Sequence, residues 1–342
     1  MSQASGLVER LDFTLPDFTR LSWVSEPARE VWGPRLGRIA RAWSDVEWLS
    51  VRAGVRRCCL TRLPVRGLLG EVSRWARHGL TAAPLRFEGS TRHTYANTPN
   101  VPGPDRPTLV CTVVGRASSV HEFRGAWDSG DHEAIGALLG YPPCCREFFR
   151  RVWVEARCVD TTWAMAANTV GPSAGGGEPA LEVGGPPEAN ILWRWMGVRA
   201  VPHLPCRFDC APTVALAVRM REVGKGAGYG AEMAWAREIL TWRAEWSALH
   251  GIAEVKTPVL KVSTRTDATS RKYVVRRAGD AYPEGGTHRP ALPLPAGGAG
   301  GDVRLAGVPA RTRSPHPDRG APAGLVPSRQ RLCLEARDGR FA

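Results

Sequence analysis

The sequence predicts an α/β protein of the mixed α+β kind. Stretches whose apolar residues have helical spacing alternate with short runs of β-branched residues, which indicates helices and strands in one chain. The predicted organisation is a small N-terminal α/β unit at 1–115, followed by a helical cysteine-site domain at 116–277 that ends in a β-hairpin.

The N-terminal unit is predicted to contain two helices and two strands. The helices are expected within 22–48 and 68–75, where apolar residues recur at helical intervals. The strands are expected at 58–61 and 107–114, with a polar loop at 88–106 before the second strand.

The cysteine-site domain is predicted to be mainly helical. A short helix at 134–139, capped by Ser129 or Asp131, precedes a second helix at 145–157. A further helix is expected at 213–223, with Gly224 as its end.

A tryptophan-rich helix and two strands are expected to complete this domain. The helix covers 232–240, and Trp235, Trp242 and Trp246 would share one buried face if it continued. Two strand-like runs follow at 258–264 and 272–276, and the turn residues between them predict a hairpin.

The last segment, 278–342, differs in composition from the rest of the chain. It lacks tryptophan, is rich in Pro, Gly, Ala and Arg, and has no sustained apolar period, which predicts disorder. The same texture is typical of a reading frame translated out of register, so we hypothesise a frameshift shortly after Tyr282.

The number of cysteines and the absence of long apolar segments indicate the cellular compartment and the role of the thiols. The chain has nine cysteines, no apolar signal segment at its start, and no run of about 18 apolar residues. We therefore expect a cytoplasmic protein away from membranes, whose thiols are reduced and serve as metal ligands or reactive groups. Cys58, Cys59 and Cys111 lie in apolar strand-like segments and are interpreted as small buried hydrophobic residues.

The central motif is a corner at 140–145 between two helices, here called the cysteine corner. Gly140 suits the left-handed position after a helix end, and Pro142 and Pro143 suit the start of the next helix. Cys144 and Cys145 then occupy the first turn of that helix, where the helix dipole favours thiolate over thiol.

A second cysteine segment, 203–212, has the same local design. Pro212 fits an early helical position, so Cys206 and Cys210 lie at or just before a helix start. We expect the four cysteines to converge on one metal site, with His203 as a substitute ligand if one cysteine of the adjacent pair is not used.

The kind of site stays open at this stage. Adjacent cysteines reach different irons of a cluster more easily than one zinc ion, which favours an iron–sulfur cluster, with zinc as the alternative. A third interpretation is a metal-free reactive thiol pair, activated by the helix dipole and by Arg146 and Arg207. A fourth interpretation gives Cys144 and Cys145 only a packing role.

Other polar groups supply candidates for catalysis and anion binding. His250 and Glu254 are the candidate acid/base pair, although a turn histidine and a solvated glutamate explain them equally well. Candidate anion-binding residues decorate the predicted hairpin; they are Lys256, Lys261, Arg265, Arg271 and Lys272. An ordinary solvated face with charges that protect a sheet edge is the alternative explanation of this set.

The net charge of +13 suggests an anionic partner, either a nucleotide or other small molecule or a nucleic acid. Because the arginines are scattered along the chain, a generally basic composition explains the charge at least as well.

The cysteine motifs also resemble a known family. The segment 135–142 (IGALLGYP) with Cys144 and Cys145, and the segment 202–206 (PHLPC) with Cys210, are similar to the domain-of-unknown-function 483 family of prokaryotes. The likeness covers about 109–275 and is most specific at the cysteine corner. It implies that these positions matter, without implying a reaction.

Together these observations favour an iron–sulfur enzyme that acts on an anionic small molecule or nucleotide. The first rival is a zinc-stabilised nucleic-acid-binding module that uses the basic residues of the hairpin on phosphates. The second rival is the metal-free thiol enzyme.

Overall fold

A computed structural model describes residues 9–15, 18–89, 108–170 and 179–280. Within these ranges the chain forms eight α-helices and nine strands in two sheets, so the predicted mixed α+β class is confirmed. The predicted loop at 88–106 lies almost entirely outside the described residues, and so does nearly all of the tail with its hypothetical frameshift.

The helices are α1 (Glu26–Arg52), α2 (Val65–Ala76), α3 (Ala117–Ser129), α4 (His132–Leu138), α5 (Pro143–Phe149), α6 (Thr162–Val170), α7 (Ala211–Gly226) and α8 (Gly230–Thr241). A π-helical segment, Arg150–Glu155, continues α5. The strands are β1 (Thr19–Trp23), β2 (Cys58–Pro64), β3 (Thr81–Gly89), β4 (Thr108–Gly115), β5 (Ala180–Val183), β6 (Ala244–Leu249), β7 (Ile252–Lys256), β8 (Leu260–Arg265) and β9 (Tyr273–Arg277).

The larger sheet has the strand order β1-β8-β7-β6-β9-β5, and all its pairs are antiparallel except β5 with β9. The predicted pairing of the last two strands is wrong, because β7 and β6 lie between β8 and β9. Strand β7 instead forms one hairpin with β8 and another with β6, the β6–β7 hairpin. Its two turn residues, His250 and Gly251, have φ angles of 49° and 81°, the left-handed conformation that a tight hairpin turn needs.

The tryptophan stripe also differs from its prediction. Helix α8 ends at Thr241, and Trp246 lies in β6, where it is 1% exposed. The three tryptophans are all buried in the main core, but they reach it from a helix, a helix end and a strand.

The smaller sheet has the order β2-β4-β3 and lies in the N-terminal half. Strands β2 and β4 match their predictions, and Cys58, Cys59 and Cys111 are buried in them as expected. Strand β3 and helix α3 had no sequence prediction. Pro84 interrupts β3 and its register shifts there, which an edge strand tolerates because one side of it is unpaired.

Helix α1 connects the hydrophobic cores of the two halves. Trp32 packs into the core beneath the six-stranded sheet, Val46 into a core with α7 and α8, and Trp48 into a core with the three-stranded sheet. Strand β1 pairs with β8 of the larger sheet. The boundary between the two units at about 115 stays a prediction.

In the part of the chain that the structure describes, every helix is too short or too polar to cross a lipid bilayer.

Helix α7 does not end where Gly224 was predicted to end it. The helix continues to Gly226, and Gly224 is an interior residue at a close helix contact. A Cβ atom at position 224 would lie 2.8 Å from Met233 Sδ on α8 and 3.0 Å from Val46 Cγ2 on α1. The absent side chain therefore allows α7 to pack closely against both helices.

The close contact at Gly224 can be tested by its effect on stability. Gly224→Leu is expected to lower the free energy of unfolding by about 1–3 kcal/mol, because the added side chain overpacks the contact with α1 and α8. Gly226→Leu is the matched control: position 226 is exposed, a Cβ atom there would have open space within 4 Å, and stability should be unaffected or slightly raised. Urea unfolding of the two variants is the measurement. Equal midpoints would show that the close packing at 224 is unimportant.

Candidate metal centre

The cysteine corner has the local structure that its sequence predicts. Gly140 follows the end of α4 with a φ of 75°, and the amide of Tyr141 donates to the Gly136 carbonyl oxygen at 2.9 Å. Pro143 is the first residue of α5, and the Cys145 amide donates to the Pro142 carbonyl oxygen at 3.0 Å. Cys144 and Cys145 therefore occupy the first turn of α5, as expected.

The second cysteine segment also matches its prediction. Cys210 is the residue that caps the start of α7, and Pro212 lies in the first turn of that helix. Cys206 precedes it in an irregular loop, where the side chain of Asn168 on α6 donates to the Cys206 carbonyl oxygen at 2.8 Å. The loop that carries Cys206 is thus held by a neighbouring helix.

The four sulfur atoms converge. The ligand atoms of Cys144, Cys145, Cys206 and Cys210, here called the cysteine cluster, all lie within 4.8 Å of one another. The Cys144 Sγ is 3.9 Å from that of Cys145 and 3.8 Å from that of Cys210, and the Cys145 and Cys210 sulfurs are 3.7 Å apart. Cys144 is exposed and the other three are buried. The cluster is therefore able to hold a metal ion.

The thiols of the cluster shift one another's pKa values. The Cys145 pKa is lowered by a hydrogen bond with Cys206, but a hydrogen bond with Cys210 and burial outweigh this and raise it to about 12. Cys210 has a strongly lowered pKa, because the Cys145 and Cys206 thiols donate hydrogen bonds to its sulfur. Cys206 has a raised pKa for the complementary reason. Without a cation, Cys210 is thus the thiol of this group that ionises most readily, because hydrogen bonds from Cys145 and Cys206 stabilise its thiolate.

A buried hydrogen-bond chain supports Cys145 from behind. Thr213, in the first turn of α7, has its Oγ1 3.4 Å from the Cys145 sulfur and 3.0 Å from His203 Nε2. His203 therefore lies one hydrogen bond behind the cysteines rather than among them. Burial lowers the His203 pKa to about 3, so the imidazole is neutral near pH 7.

The two arginines beside the cysteines are engaged with carboxylates. Arg146 Nε donates to Glu133 at 2.8 Å, and Arg207 Nε donates to Asp209 at 2.8 Å. The thiol activation that the sequence suggested for these arginines stays a prediction, and each of their charges already has a partner of opposite sign.

The other predicted site residues lie on the strands of the larger sheet and on the segments that join them. His250 is in the β6–β7 turn and its amide donates to Thr269, whereas Glu254 lies within β7 and pairs with Lys261 on β8. Their role as an acid/base pair stays a prediction.

The predicted anion-binding residues mostly have partners. Lys256 lies 3.9 Å from Glu245, and Arg271 lies 3.5 Å from Glu9. Arg265 donates to the Leu15 carbonyl oxygen at 3.3 Å, and Lys272 is exposed. Anion binding by this face stays a prediction.

Sequence reasoning missed Thr213, although a signal was present. Thr213 follows Cys210 by three residues in the first turn of a predicted helix, where its hydroxyl is positioned to reach back toward the capping residue. The hydroxyl instead joins Cys145 to His203, and Thr213 is 0% exposed.

Comparison of the chain with protein-family models, with curated proteins and with solved structures finds no match. The fold and the site by themselves define a mixed α+β protein with a four-cysteine site that is able to bind a metal.

The buried chain behind Cys145 can be tested through Thr213. Thr213→Val keeps the shape of the side chain but leaves His203 Nε2 and the Cys145 sulfur without their partner. We expect the free energy of unfolding to fall by about 1–3 kcal/mol, as for other buried polar groups that lose a hydrogen bond. Thr213→Ser keeps the hydroxyl and loses only a methyl group, which is worth about 0.8 kcal/mol. In urea unfolding, a valine variant at least as stable as the serine variant would contradict the proposed importance of the hydroxyl.

Proposed function

We propose that the cysteine cluster holds a single zinc ion through four thiolates and that this ion has a structural role. The observation that carries the proposal is the spacing of the sulfur atoms. The closure of the site and its position in the chain support the structural role.

The sulfur spacing supports one ion. A tetrahedral zinc ion with zinc–sulfur bonds of about 2.3 Å has sulfur–sulfur edges of about 3.8 Å. The three cluster distances of 3.9, 3.8 and 3.7 Å agree with this edge, and the remaining sulfur is within 4.8 Å of the others. The separations thus exceed the tetrahedral edge by no more than about 1 Å.

The same sulfur–sulfur distances fit less well with the iron–sulfur cluster that the sequence favoured. In such a cluster each thiolate binds its own iron or shares one iron with a second thiolate, and bridging sulfides lie between the irons. Thiolates on different irons are therefore farther apart than the edge of a tetrahedron around one ion. The cysteine cluster would have to expand to accept an iron–sulfur core.

The closed shape of the site supports a structural role. Structural zinc sites have four protein ligands, whereas catalytic sites keep one position for water or substrate. Here four sulfurs fill all four positions, and three of them are buried. The Thr213 hydroxyl adds the kind of outer hydrogen bond that orients a metal-bound thiolate.

The position of the site in the chain supports the same role. Cys145 and Cys210 are 65 residues apart in sequence, and a metal between them joins the start of α5 to the start of α7. The start of α7 also favours negative charge, which offsets part of the excess charge of four thiolates on a divalent ion. A cross-link that closes so long a loop restricts the unfolded chain and thereby stabilises the folded one.

The wider expectations of the sequence stay predictions. These are the enzymatic activity, the anionic or nucleic-acid partner, the cytoplasmic location, and the resemblance to the domain-of-unknown-function 483 family. The ion pairs on Lys256, Lys261 and Arg271 reduce the positive charge that the nucleic-acid hypothesis requires.

Metal analysis tests the proposal directly. Protein purified without chelators is expected to contain one zinc per chain and to be colourless. Replacement of the zinc by cobalt should give the visible absorption of a tetrahedral thiolate site. Cys145→Ser and Cys210→Ser should lose the metal, because three thiolates bind zinc much less tightly than four.

Cys158→Ser is the matched control, because Cys158 is also buried but lies outside the cysteine cluster. It should keep one zinc per chain. A brown protein that contains iron and acid-labile sulfide would contradict the zinc proposal and support the iron–sulfur hypothesis. A metal-free protein whose cluster thiols are alkylated rapidly would support the thiol hypothesis instead.

Removal of the metal should destabilise the protein. We expect a strong chelator to lower the melting temperature by at least about 5 °C, because loss of the cross-link between α5 and α7 is worth a few kcal/mol. Differential scanning fluorimetry with and without chelator gives the shift. The Cys145→Ser/Cys210→Ser double variant should melt at one temperature under both conditions. An unchanged melting temperature for the native chain after verified metal loss would rule out a structural role.

A further inference from the structure

A cavity lies directly beside the cysteine cluster and shares Cys145 with it, and His203 also lines this cavity. Its volume is about 70 Å³. One water molecule needs a cavity of about 10–15 Å³, so this cavity has room for a small ligand of several non-hydrogen atoms. Leu60, Trp127 and Phe149 contribute apolar walls. Such a combination of apolar walls and a few polar groups is typical of small-molecule sites.

Arg56 is the most unusual group in the wall of this cavity. Its side chain is 0% exposed. Nε donates to Ser50 Oγ at 2.9 Å, and Nη2 donates to the backbone and the carboxylate of Glu47 at 2.8 and 2.5 Å. Among the described residues Nη1 has no hydrogen-bond partner. A buried guanidinium donor without a partner is costly, so a ligand that accepts from Nη1 would stabilise the site.

Among the arginine and carboxylate side chains that line the cavity, the cysteine cluster being left aside, one positive charge is unbalanced. Arg199 also lines the cavity, and its Nη2 lies 3.6 Å from the same Glu47 carboxylate. In the part of the chain described by the structure, Arg199 Nε is buried and lacks a partner. Arg146 is a third lining arginine, but Glu133 balances its charge. Two guanidinium groups thus share one carboxylate, and a monoanion would complete the balance.

His203 provides a hydrogen-bond acceptor on the wall next to the cysteines. If Cys145 is a metal-bound thiolate, the Thr213 hydroxyl must donate to its sulfur, because a thiolate has no proton to give. Thr213 Oγ1 then accepts from His203 Nε2–H, and the proton-free Nδ1 is left as an acceptor. This Nδ1 is buried and has no partner within the described ranges.

We propose that this cavity binds a small organic monocarboxylate that has an apolar body and a hydroxyl or amino group. Arg56 and Arg199 bind the carboxylate, the apolar walls hold the body, and His203 Nδ1 accepts a hydrogen bond from the hydroxyl or amino group. The inference goes beyond the structural metal site. Its His203 part rests on the proposed metal–thiolate, whereas its arginine part does not.

The carboxylate is preferred to other anions for reasons of charge and size. A phosphate group carries close to two negative charges near neutral pH and would exceed the single unbalanced positive charge. A nucleotide has far more atoms than a cavity of about 70 Å³ can enclose. Arginine also suits a planar carboxylate, because its donors form a fork that matches the two oxygens.

Isothermal titration calorimetry on the metal-loaded full-length protein tests the proposal. The probes are propionate, lactate (the same skeleton with a hydroxyl group), the neutral 2-propanol, and inorganic phosphate. We expect both carboxylates to bind with a Kd on the order of 1 mM or tighter, and lactate to bind at least about threefold more tightly than propionate. The neutral alcohol and phosphate should show no saturable binding.

Variants assign the binding to the cavity. Arg56→Gln should weaken lactate binding at least tenfold, equal to about 1.4 kcal/mol. Arg199→Gln, whose native side chain is 21% exposed, should weaken it as well and provides a second test if the buried Arg56 variant does not fold. Arg57→Gln is the matched control, since Arg57 is adjacent in sequence, more than half exposed and paired with Glu122.

Each further outcome has a defined meaning. Absence of carboxylate binding to a folded, zinc-loaded chain would overturn the inference and leave the metal proposal intact, and so would binding that Arg56→Gln and Arg199→Gln leave unchanged. Tighter binding of phosphate than of lactate would overturn the carboxylate class. Equal affinities for lactate and propionate would remove His203 as the acceptor. If the protein holds no metal, carboxylate binding that depends on Arg56 would still support the arginine part.

Discussion

The convergence of four sulfur atoms is the constraint around which the centre of this protein is arranged. Two helices must begin at the same place, one after a Gly/Pro corner and one after an irregular loop held by Asn168. Three of the sulfurs are buried, so the charge that makes them good ligands is unfavourable unless a cation or a proton balances it. A bound metal would resolve this conflict and would join the four cysteines in a cross-link.

Gly140 links the cysteine corner to the arginine that faces the cavity. Its left-handed backbone makes the turn, and a Cβ atom at this position would lie 2.9 Å from Arg56 Cγ. The missing side chain therefore serves two purposes, because it permits the turn and lets the Arg56 stem pass beside it. Arg56 in turn pairs with Glu47 on α1, the helix that contributes to three of the four hydrophobic cores of the described residues. The corner, the cavity and the long helix are thus fixed together.

The sequence revealed the local parts of this site and missed the long-range ones. Glycine and proline determine where helices start and end, so the positions of Cys144 and Cys210 followed from nearby residues alone. Strand pairing depends on residues far apart in the chain, and the hairpin was therefore assigned to the wrong strands. Arg56 carried no local signal either, because in a chain with 46 Lys and Arg residues a buried arginine looks like any other.

The proposed metal and the proposed ligand are neighbours that do not touch directly. Four thiolates leave no position on the ion for a carboxylate or hydroxyl, so a ligand in the cavity can act on the metal only through His203, Thr213 and Cys145. A donor group on the ligand would strengthen each hydrogen bond in this chain and draw charge from the Cys145 sulfur. The metal in turn fixes the direction of the Thr213 hydroxyl and thereby keeps His203 Nδ1 free to accept. A structural ion can in this way determine which ligands the adjacent cavity selects, without taking part in their chemistry.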